Sequence, residues 1–367
     1  MKYALKDIAP IRQGQVLEAD EYWLLNLDMV ESNTGKIIDY VYATPDEIGA
    51  STVKFDTKNV LYSKLRPYLN KVVLPEQEGY ATSEMLPLRP NTQIITREYL
   101  AYFLRSKHFV DYINEKVSGA KMPRANTADL KTVEIDCPEL KIQKRITEEL
   151  DRLVAIINLR QLELQKLDDL IKARFVELFG NTKDNEKNWD TVSLKSVAEV
   201  RGRVGWKGYK KDDLRESGPL VLGATHLTDS GCIDLTSPVY LSREKYEESP
   251  EIMLQKNDLI FTQRGNTIGK VGLLENDIGE ATINPCVLIL RPLTINPVYF
   301  KTYFILDETK RDMWLLNAGS AQPMITQKGL GEYMLMLPPM ELQNQFAEFV
   351  EQTDKSKFVY ASFFYNT

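Results

Sequence analysis

The sequence repeats itself at an offset of about 200 residues, and this internal repeat limits the fold more than any other feature. Residues 119–146 match residues 319–346 in one register without a gap. Further upstream, residues 88–90 and 290–292 both read Leu-Arg-Pro. A repeat of this length indicates a duplicated domain and not a solenoid unit. At 367 residues, the chain has room for about two domains of ordinary size.

Each copy is predicted to be a mixed domain followed by a helix. Short apolar or alternating runs between turn residues indicate strands at 60–63, 71–74, 259–262, 271–274 and 286–291. Longer stretches at 98–116 and 298–316 are more typical of helices. The fold class is therefore α+β, with two similar mixed α/β domains. The predicted parts are domain 1 at 1–137, a long helix at 138–180, domain 2 at 181–337, and a short second helix with a tail at 338–367.

The segment after Pro138 has the clearest periodicity in the chain. Its apolar residues recur at alternating spacings of four and three, which is the heptad pattern of a coiled-coil helix, and Arg160 is the one polar interruption. Pro138 suits the start of a helix and Gly180 suits its end, and no Gly or Pro lies between them. The apolar seam consists of Ile146, Leu150, Leu153, Ile157, Leu164, Leu167 and Ile171.

A single helix with such a seam leaves an apolar stripe in water, so a partner is expected. The second copy continues the pattern with Leu342, Phe346 and Val350, and the stripe then fails at Thr353. We predict that the two helices pair as an antiparallel coiled coil in which the second helix is the shorter one. The alternative is that the first helix packs on its own domain.

Composition and motifs argue against an enzyme. Three cysteines and two histidines, far apart in sequence, make a disulfide framework, a zinc site or imidazole catalysis unexpected. The GNTIGKV run at 265–271 has neither the spacing nor the Ser or Thr of a phosphate loop. We expect no catalytic residue and no metal site. No apolar run approaches the roughly 20 residues of a membrane span, and the N-terminus lacks a secretory signal, which predicts a cytoplasmic protein.

Basic loops are the remaining candidates for a functional site, although the net charge is −6. The segment 201–211 combines cations, glycines and two aromatic residues, which suits contact with a phosphate backbone. Two acid-free stretches, at 64–71 and 263–270, occupy corresponding places in the two copies, and positions 121–124 correspond to 322–326. The candidate DNA-binding residues are Arg12, Lys64, Arg66, Tyr68, Asn70, Lys71, Lys121, Arg124, Arg201, Arg203, Trp206, Lys207, Tyr209, Lys210, Gln263, Arg264, Asn266, Lys270 and Gln322.

The side chains in these stretches suit base recognition. Arginine pairs with guanine, and asparagine or glutamine pairs with adenine, through two hydrogen bonds in the major groove. Matching positions carry different side chains in the two copies. This pattern predicts one repeated scaffold that presents two different reading surfaces. The alternative for any single stretch is an ordinary solvated surface.

A family resemblance follows from the helix-start motif Pro-x-x-x-[Ile/Leu]-Gln, which occurs at 138–143 and 338–343, and from the Leu-Phe-Gly end of the first helix at 178–180. The tandem arrangement resembles the specificity (S) subunit of type I restriction-modification systems. The resemblance implies two target-recognition domains that each read half of a split double-stranded DNA sequence. It also implies a chain without catalytic activity, which docks modification subunits using S-adenosylmethionine and restriction subunits using ATP and magnesium.

Two other functions compete with this interpretation. A two-domain coiled-coil adaptor would bind protein partners and leave DNA alone, whereas a stand-alone DNA-modifying enzyme would methylate or cleave DNA by itself. Two similar domains on antiparallel helices would be related by an approximate two-fold axis, as duplex DNA is. Half-sites are then expected about one helical turn apart, or a multiple of that.

Overall fold

A computed structural model describes residues 1–117, 119, 121–203, 209–316 and 324–365, with side chains up to residue 357. The chain divides into two compact units, Met1–Leu159 and Arg160–Thr367. We call them unit 1 and unit 2. The division falls inside the first long helix, so each half of that helix is described with the unit it packs on.

Unit 1 is built from short strands and helices. Its strands are β1 (Lys2–Ala4), β2 (Tyr22–Leu25), β3 (Val41–Ala43), β4 (Thr52–Phe55), β5 (Val60–Ser63), β6 (Val72–Val73), β7 (Gly79–Thr82), β8 (Met85–Leu88) and β9 (Glu134–Asp136). Its helices are α1 (Leu5–Ile8), α2 (Arg97–Arg105), α3 (Lys107–Asn114), α4 (Thr127–Thr132) and the start of α5 (Leu140–Phe179).

Unit 2 repeats this series. Its strands are β10 (Thr191–Ser193), β11 (Ala198–Arg201), β12 (Leu214–Leu222), β13 (Tyr240–Leu241), β14 (Leu259–Thr262), β15 (Val271–Leu273), β16 (Ala281–Ile283), β17 (Val287–Pro292) and β18 (Met334–Met336). Its helices are the end of α5, then α6 (Leu194–Val197), α7 (Arg243–Glu247), α8 (Pro297–Ile305), α9 (Asp307–Leu315), α10 (Gln327–Gly331) and α11 (Met340–Tyr365).

Sheet topology confirms the duplication. In both units an antiparallel pair joins the first strand to the last, β1 with β9 and β10 with β18. A central antiparallel ladder recurs as β6-β5-β8 and as β15-β14-β17. One parallel pair also recurs, β2 with β7 and β12 with β16. The observed strands at 60–63 and 259–262 have the predicted bounds. Those predicted at 71–74, 271–274 and 286–291 differ from the observed ones by one residue at one or both ends.

The predicted helices at 98–116 and 298–316 are each two helices in the structure. Ser106 separates α2 from α3 in an extended conformation (φ −63°, ψ 143°), and its hydroxyl accepts the backbone N–H of Phe109. Leu306 has the same conformation between α8 and α9. The prediction that both stretches are helical is confirmed. Their apolar periodicity did not reveal the breaks, because it continues across the change of one backbone conformation at Ser106 and at Leu306.

The first long helix was predicted at 138–180 and is observed at Leu140–Phe179. It ends where Gly180 adopts a left-handed conformation with φ of 80°, which a residue with a side chain rarely adopts. The second helix, α11, has 26 residues within the described part of the chain against 40 in α5. That the second helix is the shorter one stays a prediction.

Within unit 2, the end of α5 and α11 pack in antiparallel order. The Phe179 ring lies 5.6 Å from the Phe346 ring, centroid to centroid. Eleven residues earlier on α5, Asp168 accepts a hydrogen bond of 2.7 Å from Lys357, which lies eleven residues later on α11. Ile171 of the predicted seam is buried between these contacts, in the core of unit 2.

The seam is exposed before this point. Leu153 and Ile157 are each 53% exposed, and Leu164 is 44% exposed. Ile146 is also exposed, at 37%. The observed contacts therefore pair α11 with the last third of α5, as expected for a second helix that is shorter than the first.

Candidate nucleic-acid interface

In both units, an isolated antiparallel bridge joins the loop after the central strand to the loop before the short helix α4 or α10. Leu65 pairs with Arg124 in unit 1, and Arg264 pairs with Met324 in unit 2. Backbone bonds flank each bridge, from Ala125 N–H to the Lys64 carbonyl and from Ile325 N–H to the Gln263 carbonyl. The structure thus brings together candidate stretches that lie about 60 residues apart in sequence, at the same place in each unit. We call these two places the bridge sites.

Arg66 and Tyr68 form the exposed tip of the unit 1 bridge site. Arg66 has a left-handed backbone (φ 48°), and its N–H donates to the Pro123 carbonyl at 2.7 Å. This conformation is unfavourable for a residue with a long side chain, so the tight Pro67–Leu69 turn and the Pro123 bond must hold it. Tyr68 is 51% exposed, and Lys121 is exposed as well.

Asn70 and Lys71 face the interior of the same loop. Asn70 is 8% exposed, and its amide donates to the Arg105 carbonyl at 3.0 Å. The Lys71 ammonium donates to the Leu27 carbonyl at 2.6 Å, and burial lowers the pKa of Lys71. Both side chains therefore support the loop in this conformation, and their contact with DNA stays a prediction.

An acidic residue that the sequence reasoning missed lies at the unit 1 bridge site. Glu84 accepts two hydrogen bonds from Arg124, from Nε at 3.0 Å and from Nη2 at 2.9 Å. Its other carboxylate oxygen lies 3.9 Å from Lys64 Nζ. The bond from Glu84 raises the pKa of Arg124. The pairing of Ser63 with Met85 between β5 and β8 is the signal that places Glu84 beside Lys64.

The unit 2 bridge site has different chemistry. Arg264 is exposed and donates to the Met324 sulfur at 3.0 Å, and Asn266 is exposed beside it. Gln263 is 9% exposed and donates to the Pro285 carbonyl, so it supports the loop as Asn70 does in unit 1.

Of two other candidate residues in unit 2, one forms an ion pair and one lies outside the described residues. Lys270 forms an ion pair with Asp229, with a distance of 3.1 Å between Nζ and the carboxylate oxygen. Gln322 lies outside the described residues. The contacts of Lys270 and Gln322 with DNA stay predictions.

The segment 201–211 has acidic neighbours that its own sequence does not show. Arg201 forms an ion pair with Glu199 and is 34% exposed. Arg203 donates to the Ile283 carbonyl at 3.2 Å, and its guanidinium lies 5.5 Å from the centre of the Tyr209 ring. Burial lowers the pKa of Arg203.

The remaining candidates lie at the edges of these clusters or beyond the described residues. Lys210 is exposed, whereas Trp206 and Lys207 lie outside the described residues. Arg12 is exposed, and its N–H donates to the Pro87 carbonyl at 2.8 Å. Arg12 therefore lies at the end of β8 opposite Glu84 and does not join the unit 1 bridge site.

The described part of the chain has few features of any other kind of site. It has no cluster of three or more His, Cys, Asp or Glu side chains that could hold a metal ion. None of its helices is long and apolar enough to cross a membrane. Cys137 is buried, Cys232 is exposed and Cys286 is half-buried, and all three are free thiols.

Fold and bridge sites together define a tandem protein, in which one scaffold is used twice and presents different polar side chains at the same place. Comparison with known proteins agrees. The family model described as the type I restriction modification DNA specificity domain matches residues 1–168 and again residues 186–358. Because these matches cover more than half of the chain, it belongs to the family of type I restriction-modification DNA specificity proteins.

Individual relatives are more distant. The chain is 24% identical over 304 residues to the type I restriction enzyme MjaVIII specificity subunit of Methanocaldococcus jannaschii, over 76% of this chain and 68% of that protein. It is 23% identical over 284 residues to the EcoKI specificity subunit of Escherichia coli K12, over 72% of this chain and 60% of that protein.

Solved structures share the fold. A chain from a structure of a type I R-M system, solved to explain its complex assembly and conformational transition, has a TM-score of 0.55 and 17% identity, and the match covers 98% of this chain and 91% of that one. The type I restriction-modification S subunit from M. genitalium has a TM-score of 0.53 and 15% identity, and the match covers 99% and 91% of the two chains.

Proposed function

We propose that this chain is the DNA-reading subunit of a type I restriction-modification enzyme, in which each unit reads one half of a bipartite duplex target. The observation that carries the proposal is the bridge site, which has the same backbone bonds in both units and different side chains. Unit 1 presents Lys64, Arg66 and Arg124 there, and unit 2 presents Arg264 and Asn266. Two different readers on one scaffold suit a target with two different halves.

The side chains at the bridge sites suit the two tasks of such a reader. Exposed cations such as Arg66 neutralise phosphates and position the protein, whereas Arg124 and Arg264 have the paired N–H groups that recognise guanine. Tyr68 adds a planar side chain at the same tip. We assign these groups to DNA binding and propose no catalytic step for the chain.

We also propose that the exposed part of α5 docks partner subunits. Seven large apolar side chains between residues 153 and 164 are exposed on all sides of the helix, and a helix that is apolar all round is normally buried. These residues are Leu153, Val154, Ile156, Ile157, Leu159, Leu162 and Leu164. In this proposal, modification subunits that use S-adenosylmethionine and restriction subunits that use ATP and magnesium carry out the catalytic steps. The complex acts in the cytosol.

A selection from duplex DNA with randomised positions tests the proposal. The full chain, assembled with its modification subunits, should enrich one split sequence with two defined halves. Retention of any duplex should weaken steeply as salt rises, because phosphate contacts release counterions. No enriched sequence together with no retention at low salt would show an adaptor that does not bind DNA.

Single substitutions connect the selection to the bridge sites. Arg264→Ala should reduce the preference for one base pair in one half of the target, by at least about fivefold. Arg215→Ala is the matched control, because Arg215 is an exposed arginine on β12 of unit 2 and, among the described residues, donates to the carbonyls of Asp212 and Leu214. A target unchanged by Arg264→Ala would remove the unit 2 bridge site from the DNA interface.

A further inference from the structure

Glu84 lies in the turn between β7 and β8 and connects two basic residues of the unit 1 bridge site. One carboxylate oxygen accepts both Nε and Nη2 of Arg124, and the other lies 3.9 Å from Lys64 Nζ. The Lys64 N–H donates to the Glu84 carbonyl at 2.9 Å, so the main chain fixes the position of the carboxylate. Glu84 therefore sets the direction in which the Arg124 guanidinium points.

The guanidinium keeps donors for a ligand. Nε and one N–H of Nη2 bond to Glu84, and Nη1 donates to the Met122 carbonyl at 3.3 Å. Arginine has five N–H groups, so these contacts among the described residues leave one on Nη1 and one on Nη2. The side chain is 43% exposed. Two N–H groups of this kind are what arginine uses to recognise the O6 and N7 atoms of guanine.

Unit 2 shows that the scaffold does not need this ion pair. There the Cys286 carbonyl accepts the Gln263 N–H at 3.0 Å, in the place of the Glu84 carbonyl, and Met324 occupies the place of Arg124 in the bridge. A turn at the equivalent place, one residue longer, and the same bridge form there without a carboxylate and without its arginine. Among the described residues, the Glu84–Arg124 pair thus occurs in unit 1 and has no counterpart at the equivalent place in unit 2.

A carboxylate is also unfavourable for non-specific DNA binding, because it repels phosphates and neutralises part of the charge of Lys64 and Arg124. We propose that Glu84 is a positioning residue that determines the specificity of unit 1: it holds the Arg124 guanidinium toward a guanine edge and keeps it from pairing with a phosphate. This inference rests on the proposed function, since it assumes that unit 1 reads duplex DNA.

Selection from a randomised duplex library, with the chain assembled with its modification subunits, tests the inference through Glu84→Gln. The variant keeps the shape of the side chain and removes its charge. Preference for guanine at one position of a single half of the target should fall at least about fivefold. The other half should stay unchanged, and retention of unrelated duplex DNA should stay equal or increase. Arg124→Met should lose the same guanine, since unit 2 carries methionine there.

Glu149→Gln is the matched control, because Glu149 bonds to Arg152 on α5 and lies outside the bridge site. An unchanged target with Glu84→Gln overturns the inference, as does a loss in both halves or a lower melting temperature, which would show a structural role. Wild-type protein that enriches no sequence would instead overturn the proposed function, and the inference with it.

Discussion

Gln143 holds the start of the first long helix against the N-cap of α2: its Oε1 accepts the Thr96 N–H at 3.0 Å. Its amide nitrogen donates to the carbonyls of Ile94 at 2.7 Å and Pro138 at 2.8 Å. Gln343 makes the equivalent bond with Asn296 in unit 2, at 2.9 Å. The glutamine of the helix-start motif therefore connects each domain, through hydrogen bonds, to the helix that follows it.

We predict that Gln143→Ala destabilises unit 1 by about 2–4 kcal/mol, because it leaves three backbone groups without partners in a side-chain site that is fully buried. Urea denaturation followed by circular dichroism measures the change. Gln161→Ala, an exposed substitution on the same helix, is the control and should stay within about 0.5 kcal/mol of wild type. Equal effects of the two variants would contradict the role of Gln143.

An arginine–aspartate ion pair that occurs in both units predicts that the protein is sensitive to acid. Arg89 donates to both carboxylate oxygens of Asp56, at 2.8 and 2.7 Å, and Arg291 binds Asp258 in the same way in unit 2. Burial alone would raise the pKa of Asp56, but the bonds from Arg89 and from the N–H groups of Gln15 and Lys58 outweigh it and lower the pKa to about 2.

A carboxylate whose pKa is lowered by folding stabilises the protein above its unfolded pKa, and the stabilisation is lost as the pH falls through the folded value. Unit 1 should therefore lose stability between about pH 4 and pH 2, and Asp56→Asn should remove about 1 kcal/mol at pH 6 and flatten that decline. Urea midpoints at pH 6 and pH 3 measure both effects. Asp111→Asn, in the exposed pair with Lys107, is the control. A decline of the same steepness in Asp56→Asn would assign the acid sensitivity to other groups.

Much of the fold could be predicted from the sequence because it follows from patterns that are local or repeated. The heptad spacing, Pro138 and Gly180 predicted the first long helix to within two residues at each end. The 200-residue repeat predicted two similar units. The breaks at Ser106 and Leu306 could not be predicted from apolar spacing, because each break is a change of one backbone conformation inside a continuous apolar pattern.

The candidate site was harder to predict because its charges come from distant parts of the chain. The stretch 201–211 contains no acid before Asp212, yet Glu199 pairs with Arg201. Glu84 reaches the bridge site only through the pairing of β5 with β8. Burial is equally non-local: Asn70 and Gln263 are typical base-reading residues, and only the folded loop turns their amides inward.

The exposed part of α5 predicts a variant that separates folding from assembly. Leu159 is 65% exposed, so Leu159→Glu should leave the melting temperature of the chain nearly unchanged. Because a charge in an apolar interface must lose its water, the same change should reduce co-purification of modification subunits at least about tenfold. Leu293→Glu, at a leucine 57% exposed in unit 2, is the control. Normal assembly of Leu159→Glu would exclude this part of the helix from the interface.

Arg66 predicts a change in salt dependence. If its exposed guanidinium pairs with a phosphate, Arg66→Ala should weaken binding to every duplex sequence and reduce the slope of log affinity against log salt by about 1. Fluorescence anisotropy with one duplex at several salt concentrations gives the slope. Arg152→Ala on α5 is the control and should leave it unchanged. A loss of affinity for only one sequence would indicate that Arg66 reads a base instead.

Exchange of a whole unit tests the independence of the two readers. Residues 1–137 carry the unit 1 bridge site, and Gln143 follows them on α5. Replacing this segment with that of another family member therefore keeps Gln143, and the new segment must supply the backbone groups that Thr96 and Ile94 provide here. Because the unit 2 bridge site is formed by residues of unit 2 alone, the new protein should recognise a target in which one half is altered and the other is retained. Strand-specific mapping of methylated bases, in cells that also carry the modification subunits, identifies both halves. A change in both halves would mean that the units do not read DNA independently, because the bridge site retained in unit 2 would then have changed its target without any change in its own residues.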